Sequence, residues 1–314
     1  MNAPKNSRES PGVSVVIPTY NIGPFIGAAI DSVLAQGFQD FELLVIDDGS
    51  SDDTPDIADG FDDPRVRVYR RAHRGPTYAM NEAIERAQGR WIAFLDGDDL
   101  WMPEKLERHI EVMTARPDLD LTFCLSRMID ECGRDLHITS PRWSGPLTYR
   151  DLLISNPAAN GSSIVVNREA LVRAGGFDTA FAAVYDQELW LRLALLRRDN
   201  IACIPEVLTL YRRRVGQITA DASVMERGWR QMMNKHRQLQ PDIVAEVEPH
   251  SRSNMCRYLA AIAYESGHYQ IGLGHIKESI QCAPWHFLRT RRSYLVVCAL
   301  VAKALWARLQ GVMR

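Results

Sequence analysis

The chain lacks several features that mark other classes of protein. Its six cysteines form no CxxC pair, so neither a disulfide framework nor a zinc ribbon is expected. No stretch approaches the roughly 18 consecutive apolar residues that a membrane-spanning helix needs. Residues 1–12 are polar and lack the apolar region of a secretory signal. We therefore expect a disordered N-terminus on a cytoplasmic protein.

An excess of charge of one sign is also missing from the whole chain. Lys+Arg (37) and Asp+Glu (39) nearly cancel, to a net charge of −2, whereas nucleic-acid-binding domains carry a basic excess. No nucleic-acid partner is therefore expected. The balance hides an asymmetry, because residues 1–120 carry 12 Lys+Arg against 22 Asp+Glu and residues 251–314 carry 9 against 2. The acidic front and the basic tail need separate explanations.

Two common nucleotide-binding motifs are absent as well. No GxGxxG follows the first predicted strand and there is no Walker A motif, which disfavours a dinucleotide oxidoreductase and a P-loop phosphotransferase. Strand and helix patterns instead alternate four times, which predicts an α/β fold with a mainly parallel central sheet and helices on both faces. The predicted strands are 13–18, 41–46, 66–69 and 91–95, and the predicted helices are 25–34, 54–61, 77–87 and 103–115, the last with proline in its first turn.

The alternation loosens after Leu119. Short apolar runs predict further strands at 121–125, 162–167, 201–204 and 207–211, and an amphipathic pattern predicts a helix at 186–197. From about residue 220 only helical patterns remain. The sequence therefore predicts one α/β domain over residues 13–219 and a helical C-terminal extension over residues 220–314.

Acidic side chains follow two of the predicted strands. Asp47 and Asp48 end one strand, and Asp96, Asp98 and Asp99 follow another. Carboxylates this close repel one another unless a cation or hydrogen-bond donors lie between them. Hard oxygen ligands suit Mg²⁺ or Mn²⁺, so the second group is a candidate metal motif. The alternative is that these residues only form turns and cap the next helix.

Arginines follow the third predicted strand. Arg70, Arg71 and Arg74 would supply positive charge to a diphosphate that no glycine-rich loop holds, although at least one of them is expected to be solvated.

A glycine between Asp96 and Asp98 allows a tight turn, so both carboxylates can face one point.

Three segments together resemble the family 2 glycosyltransferases. They are Val15–Asn21, Phe41–Thr54 and Trp91–Asp99, and the segments 174–178 and 186–192 extend the likeness to about residue 219. The resemblance implies a GT-A fold, a nucleotide-diphosphate-sugar donor and a divalent metal, Mn²⁺ or Mg²⁺. It also implies inverting transfer to a saccharide or lipid-linked saccharide acceptor, in surface polysaccharide biosynthesis.

The resemblance also assigns roles to individual residues. Pro18, Thr19, Tyr20 and Asp48 would hold the base and ribose, with Arg74 as a further nucleotide-binding residue. Asp96 and Asp98 would form the metal motif, Asp98 being the more direct ligand. Asp186 would be the catalytic base, and Glu188 and Arg214 are weaker candidates for contact with the acceptor or diphosphate. Asp186 opens a predicted helix, whose N-terminus favours the charged carboxylate; simple helix capping is the alternative.

Three residues depart from the family pattern. Tyr185 stands where a glutamate usually precedes the catalytic aspartate, Met80 replaces a common arginine, and Arg214 replaces a frequent histidine. These departures leave open a second function, a degenerate subunit of a membrane-associated assembly that binds a nucleotide sugar or saccharide without catalysis.

The basic tail has two interpretations. Residues 294–302 are nine consecutive apolar or aromatic residues, preceded by Arg289, Arg291 and Arg292. This pattern fits a helix lying on the cytoplasmic face of a membrane, where cationic flanks contact anionic lipid. It fits equally a terminal helix that packs on the catalytic domain or in a dimer.

Overall fold

The computed structural model describes residues 10–289 and 297–303 and divides the chain into two compact units. The first takes in the chain up to Thr148, together with Pro157–Ala180 and Arg192–Arg214. The second takes in Tyr149–Asn156, Phe181–Leu191 and the chain from Val215 onward. Compared with the predicted division at residue 219, the second unit thus includes two inner segments, and one of them carries Asp186.

The first unit contains a nine-stranded sheet. Its strands are β1 (Val13–Thr19), β2 (Phe41–Asp47), β3 (Val66–Arg70), β4 (Trp91–Phe94), β5 (Leu100–Trp101), β6 (Leu121–Ile129), β7 (Asp135–Thr139), β8 (Ile164–Asn167) and β9 (Ile201–Arg212). The order along the sheet is β3-β2-β1-β4-β8-β6-β9-β5, with β7 paired to β6. Strands β3, β2, β1 and β4 are parallel to one another, so they end on the same edge of the sheet.

Apolar content explains why these strands form. Every residue of β2 and β4 is buried, as are all residues of β1 except Pro18, as expected for parallel strands covered on both faces. The four predicted helices of this region are all present. They are α1 (Gly23–Leu34), α2 (Thr54–Asp59), α3 (Pro76–Arg86) and α4 (Lys105–Ala115).

Two details of the sequence prediction are corrected. Helix α4 begins at Lys105, so Pro103 precedes the helix, and the Lys105 amide bonds to the Met102 carbonyl instead. The two strands predicted at 201–204 and 207–211 are one strand, β9. Its pairing with β6 passes from Ile204 directly to Val207, because Pro205 has no N–H to donate and the chain bulges there.

The other half of the sheet is of mixed direction. Strand β8 is antiparallel to both β4 and β6, whereas β6 and β9 are parallel. Helix α6 (Arg168–Ala174) follows β8. The short strands β5 and β7 and helix α6 were not predicted, because elements this brief carry too little periodicity.

The second unit is helical. Its helices are α5 (Tyr149–Ile154), the first part of α7 (Tyr185–Leu196), α8 (Ala222–Leu239), α9 (Pro241–Glu265), α10 (Tyr269–Cys282) and α11 (Pro284–Arg289). In the basic tail, Leu300 is buried with Ala260, Ile276 and Phe287. Residues 290–296 and 304–314 of that tail lie outside the described residues. Within the described part, no helix combines the length and apolarity needed to cross a membrane.

Candidate functional site

Asp48, directly after β2, organises the segment that follows β3. Asp48 is 2% exposed, and its carboxylate accepts hydrogen bonds from the backbone amides of Arg74 (3.1 Å) and Gly75 (2.7 Å). The Nδ1 atom of His73 lies 2.9 Å from Oδ2, and Nε of Arg71 lies 3.6 Å from Oδ1. One buried carboxylate therefore fixes residues 71–75 beside the ends of β1 and β2.

This segment brings two aromatic rings together. The rings of Tyr20 and His73 are stacked, with centroids 4.1 Å apart and an angle of 23° between their planes. Tyr20 is 45% exposed, so a flat, accessible surface lies next to Asp48. The Arg74 guanidinium lies 4.0 Å from the centroid of the Tyr78 ring. His73 was missed by sequence reasoning, and the only local signal was its position among the arginines after the third strand.

The remaining predicted nucleotide-binding residues support this arrangement from β1. Thr19 is buried and its carbonyl accepts the Asp48 amide at 2.9 Å, while Pro18 is partly exposed. Gly49 has φ +79° and a Cβ there would lie 2.8 Å from the His73 amide nitrogen. Only glycine fits this close approach without strain.

The Asp96–Asp99 segment follows β4 on the same edge of the sheet. The Asp96 amide donates to Oγ of Ser162 at 2.9 Å. A Cβ on Gly97 would lie 2.2 Å from Cδ1 of Ile22, and Gly97 is not among the glycines with positive φ. The tight turn expected at this glycine is present, since the Asp99 amide donates to the Asp96 carbonyl at 2.9 Å. The close approach of the Ile22 side chain is a second reason for a residue without a side chain at this position.

Asp98 is paired with Arg214. Nε of Arg214 lies 2.6 Å from Oδ2 of Asp98, and both side chains are largely buried. The Arg212 guanidinium donates from Nε to the Asp98 carbonyl at 2.7 Å. Two arginines at the end of β9 thus hold both the main chain and the side chain of Asp98.

Asp99 has a structural role that the sequence did not reveal. Its carboxylate is fully buried, accepts the Ser162 hydroxyl at 2.6 Å and accepts the Arg212 amide at 2.8 Å. Burial, followed by repulsion from Asp98 and Asp96, raises the pKa of Asp99 well above its usual value. Asp99 therefore ties the acidic segment to β8 and β9 and leaves Asp96 and Asp98 as the candidate ligands.

The donor set at this position fits a divalent cation. Asp96 and Asp98 offer hard carboxylate oxygens, the ligands that Mg²⁺ and Mn²⁺ prefer. The Arg214 guanidinium on Asp98 shows that this carboxylate already accommodates a cationic group. The residues present are therefore compatible with the metal that the motif predicts.

Asp186 lies in the second unit, in the first turn of α7. Its Oδ2 accepts the Asn156 side-chain amide at 3.1 Å, and its Oδ1 accepts the Gln187 amide at 2.7 Å. Since α7 begins at Tyr185, Asp186 is not the N-cap residue. Burial raises the pKa of Asp186, and the two hydrogen bonds oppose it. The backbone amides at the start of α7 do favour the charged form, as expected, but desolvation outweighs them and the pKa is raised.

Glu188 is fully buried in the second unit. Its Oε1 lies 2.6 Å from Nζ of Lys235 and 3.7 Å from Nε2 of His236. The hydroxyl of Tyr149 lies 2.9 Å from Nδ1 of His236. The Glu188 carboxylate is thus engaged in a buried polar network with helices α5 and α8.

The family model described as Glycosyl transferase family 2 matches residues 14–174, more than half of the 314 residues. The chain belongs to this family. The matched range includes Tyr20, Asp48 and the Asp96–Asp99 segment, whereas Asp186 and Arg214 lie beyond it. The predicted resemblance is therefore confirmed.

Two curated relatives carry glycosyltransferase names. The putative teichuronic acid biosynthesis glycosyltransferase TuaG of Bacillus subtilis is 37% identical over 164 residues, which are 51% of this chain and 63% of TuaG. The UDP-Glc:alpha-D-GlcNAc-diphosphoundecaprenol beta-1,3-glucosyltransferase WfgD of Escherichia coli is 33% identical over 193 residues, which are 61% of this chain and 72% of WfgD.

Solved structures show the same fold. The mannosyltransferase PcManGT from Pyrobaculum calidifontis, in complex with GDP-Man and Mn²⁺, matches with a TM-score of 0.60 and 19% identity, over 96% of this chain and 88% of that one. S. aureus TarS 1–349 in complex with UDP-GlcNAc matches with a TM-score of 0.58 and 18% identity, over 90% and 91%. The chain spans 53% of a longer TarS structure. The predicted α/β glycosyltransferase fold is confirmed.

Within this family 2 chain, the first unit gathers most of the predicted site. Tyr20 and Asp48 both contact His73, Asp48 holds the Arg74 main chain, and Asp98 pairs with Arg214. Asp186 and Glu188 belong to the second unit, where they bond to different partners.

Proposed function

We propose that this family 2 glycosyltransferase is an inverting enzyme that transfers a sugar from a nucleotide-diphosphate sugar to a saccharide or lipid-linked saccharide. The observation that carries the proposal is a shared sheet edge. Strands β2, β1 and β4 are adjacent and parallel, and Asp48, Tyr20 and Asp98 follow their carboxyl ends. Ligands of open α/β sheets bind at this edge.

The donor nucleoside would bind at Asp48. The exposed Tyr20 ring offers a face for stacking a base, and the Asp48 carboxylate would accept hydrogen bonds from a base N–H or a ribose hydroxyl. His73 now stacks on Tyr20, so an incoming base would share or displace that contact. Arg71 and Arg74 would add positive charge beside the diphosphate.

Asp98, supported by Asp96, would hold Mn²⁺ or Mg²⁺. When bound there, the ion supplies Lewis-acid stabilisation of the charge that develops on the departing diphosphate. Arg214 would add a guanidinium, which binds phosphate oxygens in a bidentate manner.

The acceptor hydroxyl would be activated by Asp186. Its carboxylate would take the hydroxyl proton as the oxygen forms a bond to the anomeric carbon and the bond from that carbon to the diphosphate oxygen breaks. One displacement inverts the anomeric centre. The raised pKa of Asp186 makes it a better proton acceptor than an ordinary aspartate once ionised.

The acceptor class is drawn from the named relatives. WfgD acts, by its name, on a sugar linked to diphosphoundecaprenol, and TuaG is assigned to teichuronic acid biosynthesis. We infer a related acceptor in surface polysaccharide synthesis, met at the cytoplasmic face of a membrane. The basic residues of the segment 251–314 would provide peripheral contact with anionic lipid.

The test is release of nucleoside diphosphate by purified protein with Mn²⁺ and a panel of UDP- and GDP-sugars, with undecaprenyl-diphosphate-linked sugars as acceptors. Asp98→Ala and Asp186→Asn should each abolish transfer, and Asp186→Asn should still bind the donor. The anomeric configuration of the product should be opposite to that of the donor. Unchanged turnover in Asp186→Asn, or retention of configuration, would refute the mechanism.

A further inference from the structure

Arg214 forms an ion pair with Asp98, the carboxylate of the metal motif that we propose as the more direct ligand. Its Nε lies 2.6 Å from Oδ2 of Asp98, and the two side chains are 20% and 10% exposed. A charge-assisted hydrogen bond this short in a partly desolvated position is among the stronger polar contacts of a protein. Without a divalent ion, Asp98 is therefore already neutralised by the chain itself.

A divalent ion and this guanidinium compete for Asp98. Both are cations, so their mutual repulsion opposes simultaneous binding to one carboxylate. For Asp98 to ligate an ion through Oδ2, the guanidinium must move away from that oxygen. A new anionic partner would then offset the cost of a cation in a largely buried position.

The main chain just before Arg214 is anchored, so an exchange of partners would involve the Arg214 side chain and not the strand. Arg212 is fixed, since its amide donates to Asp99 and its guanidinium donates to the carbonyls of Asp98 and Glu131. The Arg213 amide donates to the Ile129 carbonyl. The strand end is thus anchored just before Arg214, whereas Val215 immediately after it is 89% exposed.

We propose that Arg214 is an exchangeable counter-ion of Asp98, which it releases to the donor diphosphate when a divalent ion binds. This proposal rests on the proposed function, because the diphosphate is the new partner of the guanidinium. Arginine suits the exchange because its planar fork matches the geometry of both carboxylate and phosphate oxygens.

The exchange makes the affinities for metal and nucleotide interdependent. Metal alone must displace Arg214 without offering it a partner, so metal alone binds weakly. A nucleoside diphosphate supplies that partner, so each ligand strengthens the binding of the other by the same factor. Direct contact between the ion and the phosphate also contributes to this coupling. The contribution of Arg214 is the part of the coupling that is lost when Arg214 is substituted.

The experiment measures Mn²⁺ affinity of the full chain by titration calorimetry and by electron paramagnetic resonance, with and without UDP or GDP. Arg214→Gln should bind Mn²⁺ alone about tenfold more tightly than the wild type, and the strengthening caused by the nucleotide should fall about tenfold. Arg214→Lys keeps the positive charge and should bind Mn²⁺ alone nearly as weakly as the wild type.

Arg127→Gln is the matched control. It removes a guanidinium from an ion pair with Asp135 in the same unit, at a more exposed position, and should leave both affinities unchanged. Circular dichroism and thermal unfolding verify that each variant folds. Mn²⁺ binding to Arg214→Gln that is equal to or weaker than that of the wild type would overturn the proposal.

The result separates this inference from the proposed function. If the wild type binds neither UDP nor GDP with Mn²⁺, the proposed donor class fails, while the affinities for Mn²⁺ alone still test the exchange. If the nucleotide binds and the coupling is the same in wild type and Arg214→Gln, only the exchange fails.

Discussion

The side-chain amide of Asn156 donates a 3.1 Å hydrogen bond to Oδ2 of Asp186, the carboxylate that we propose as the base. Burial raises the pKa of Asp186, and this hydrogen bond opposes the rise by stabilising the charged form. The Asn156 amide therefore helps to determine the pKa of Asp186 and, with it, the pH above which the proposed base is ionised.

The first prediction concerns the pH profile. A base must be ionised, so kcat/KM should rise with pH through the raised pKa of Asp186. Asn156→Ala removes a donor to the charged form, which raises this pKa further and moves the acidic limb to higher pH. The rate on the alkaline plateau should change little.

The control for this profile is Asn254→Ala, which removes another side-chain amide of the second unit, one that donates to the Ile154 carbonyl. Its acidic limb should coincide with that of the wild type. An unmoved limb in Asn156→Ala would show that Asn156 does not tune the base.

The second prediction concerns nucleotide affinity. Asp48→Ala removes the carboxylate that accepts the amides of Arg74 and Gly75 and contacts the ring of His73. Hydrogen bonds to charged groups contribute about 1.5–3 kcal/mol each, so we expect affinity for UDP or GDP with Mn²⁺ to fall at least about tenfold, measured by calorimetry.

Asp63→Ala is matched to Asp48→Ala, because Asp63 also accepts a backbone amide, that of Arg65, near the start of β3. It should leave nucleotide affinity unchanged. Equal losses in the two variants would mean that general destabilisation, rather than the position of residues 71–75, lowers the affinity.

The parts of this site that were predictable from sequence are local. Strands β1, β2 and β4 are recognisable in the sequence as apolar runs. The aspartates of the site directly follow the runs of β2 and β4 in the chain. Parallel strands share an edge, so the proximity of Asp48 and the Asp96–Asp99 segment to a common sheet edge follows from pattern alone.

The parts that were missed depend on contacts between distant segments. Arg214 and Asp98 are 116 residues apart, and no local pattern indicates their pairing. His73 gains its position only because Asp48 binds the segment that contains it. The turn at Gly97 was predicted, but its close approach to the Ile22 side chain was not, because Ile22 lies in another loop.

The third prediction separates structural from functional roles for Glu188. Its carboxylate is fully buried against Lys235 and His236, so Glu188→Ala removes the anion that pairs with the Lys235 ammonium. We expect a loss of about 2 kcal/mol in the free energy of unfolding, below the value for fully buried pairs because Lys235 is 31% exposed. Denaturant titration measures this loss.

Glu246→Ala is the control for Glu188→Ala. Glu246 pairs with Arg150 at the surface of the same unit, where such pairs contribute about 0–1 kcal/mol. If Glu188→Gln retains near-normal stability but raises the acceptor KM, the contact with acceptor that the sequence indicated gains support; a stability loss with normal KM argues for a structural role.

The last prediction concerns a buried lysine. Lys105 is fully buried; its Nζ lies 3.3 Å from Nε2 of His109 and 3.5 Å from Sγ of Cys124. Neither contact offers a carboxylate, so burial lowers the pKa of Lys105 below its usual value of 10.5. Burial also lowers the pKa of His109 well below 6.5, with repulsion from Lys105 adding to the effect.

The sign of the pH effect follows from proton binding. Between the lowered pKa and 10.5 the unfolded chain holds a proton on Lys105 that the folded chain releases, so stability rises with pH in this window. At pH values below this window, Lys105 is charged in both states, and the folded protein carries the full desolvation cost of the buried ammonium. Lys105→Met removes that penalty at nearly constant volume and should raise the free energy of unfolding by about 1–2 kcal/mol at neutral pH.

The gain from Lys105→Met should shrink at alkaline pH, where the wild-type lysine is neutral in both states. Denaturant titrations at neutral and alkaline pH measure both effects, and Lys277→Met, at an exposed position on α10, should show neither. A loss of stability in Lys105→Met would mean that the contacts of the ammonium with His109, Cys124 and the Trp101 ring outweigh its desolvation. In that case the buried charge would itself stabilise the packing of α4 on β6.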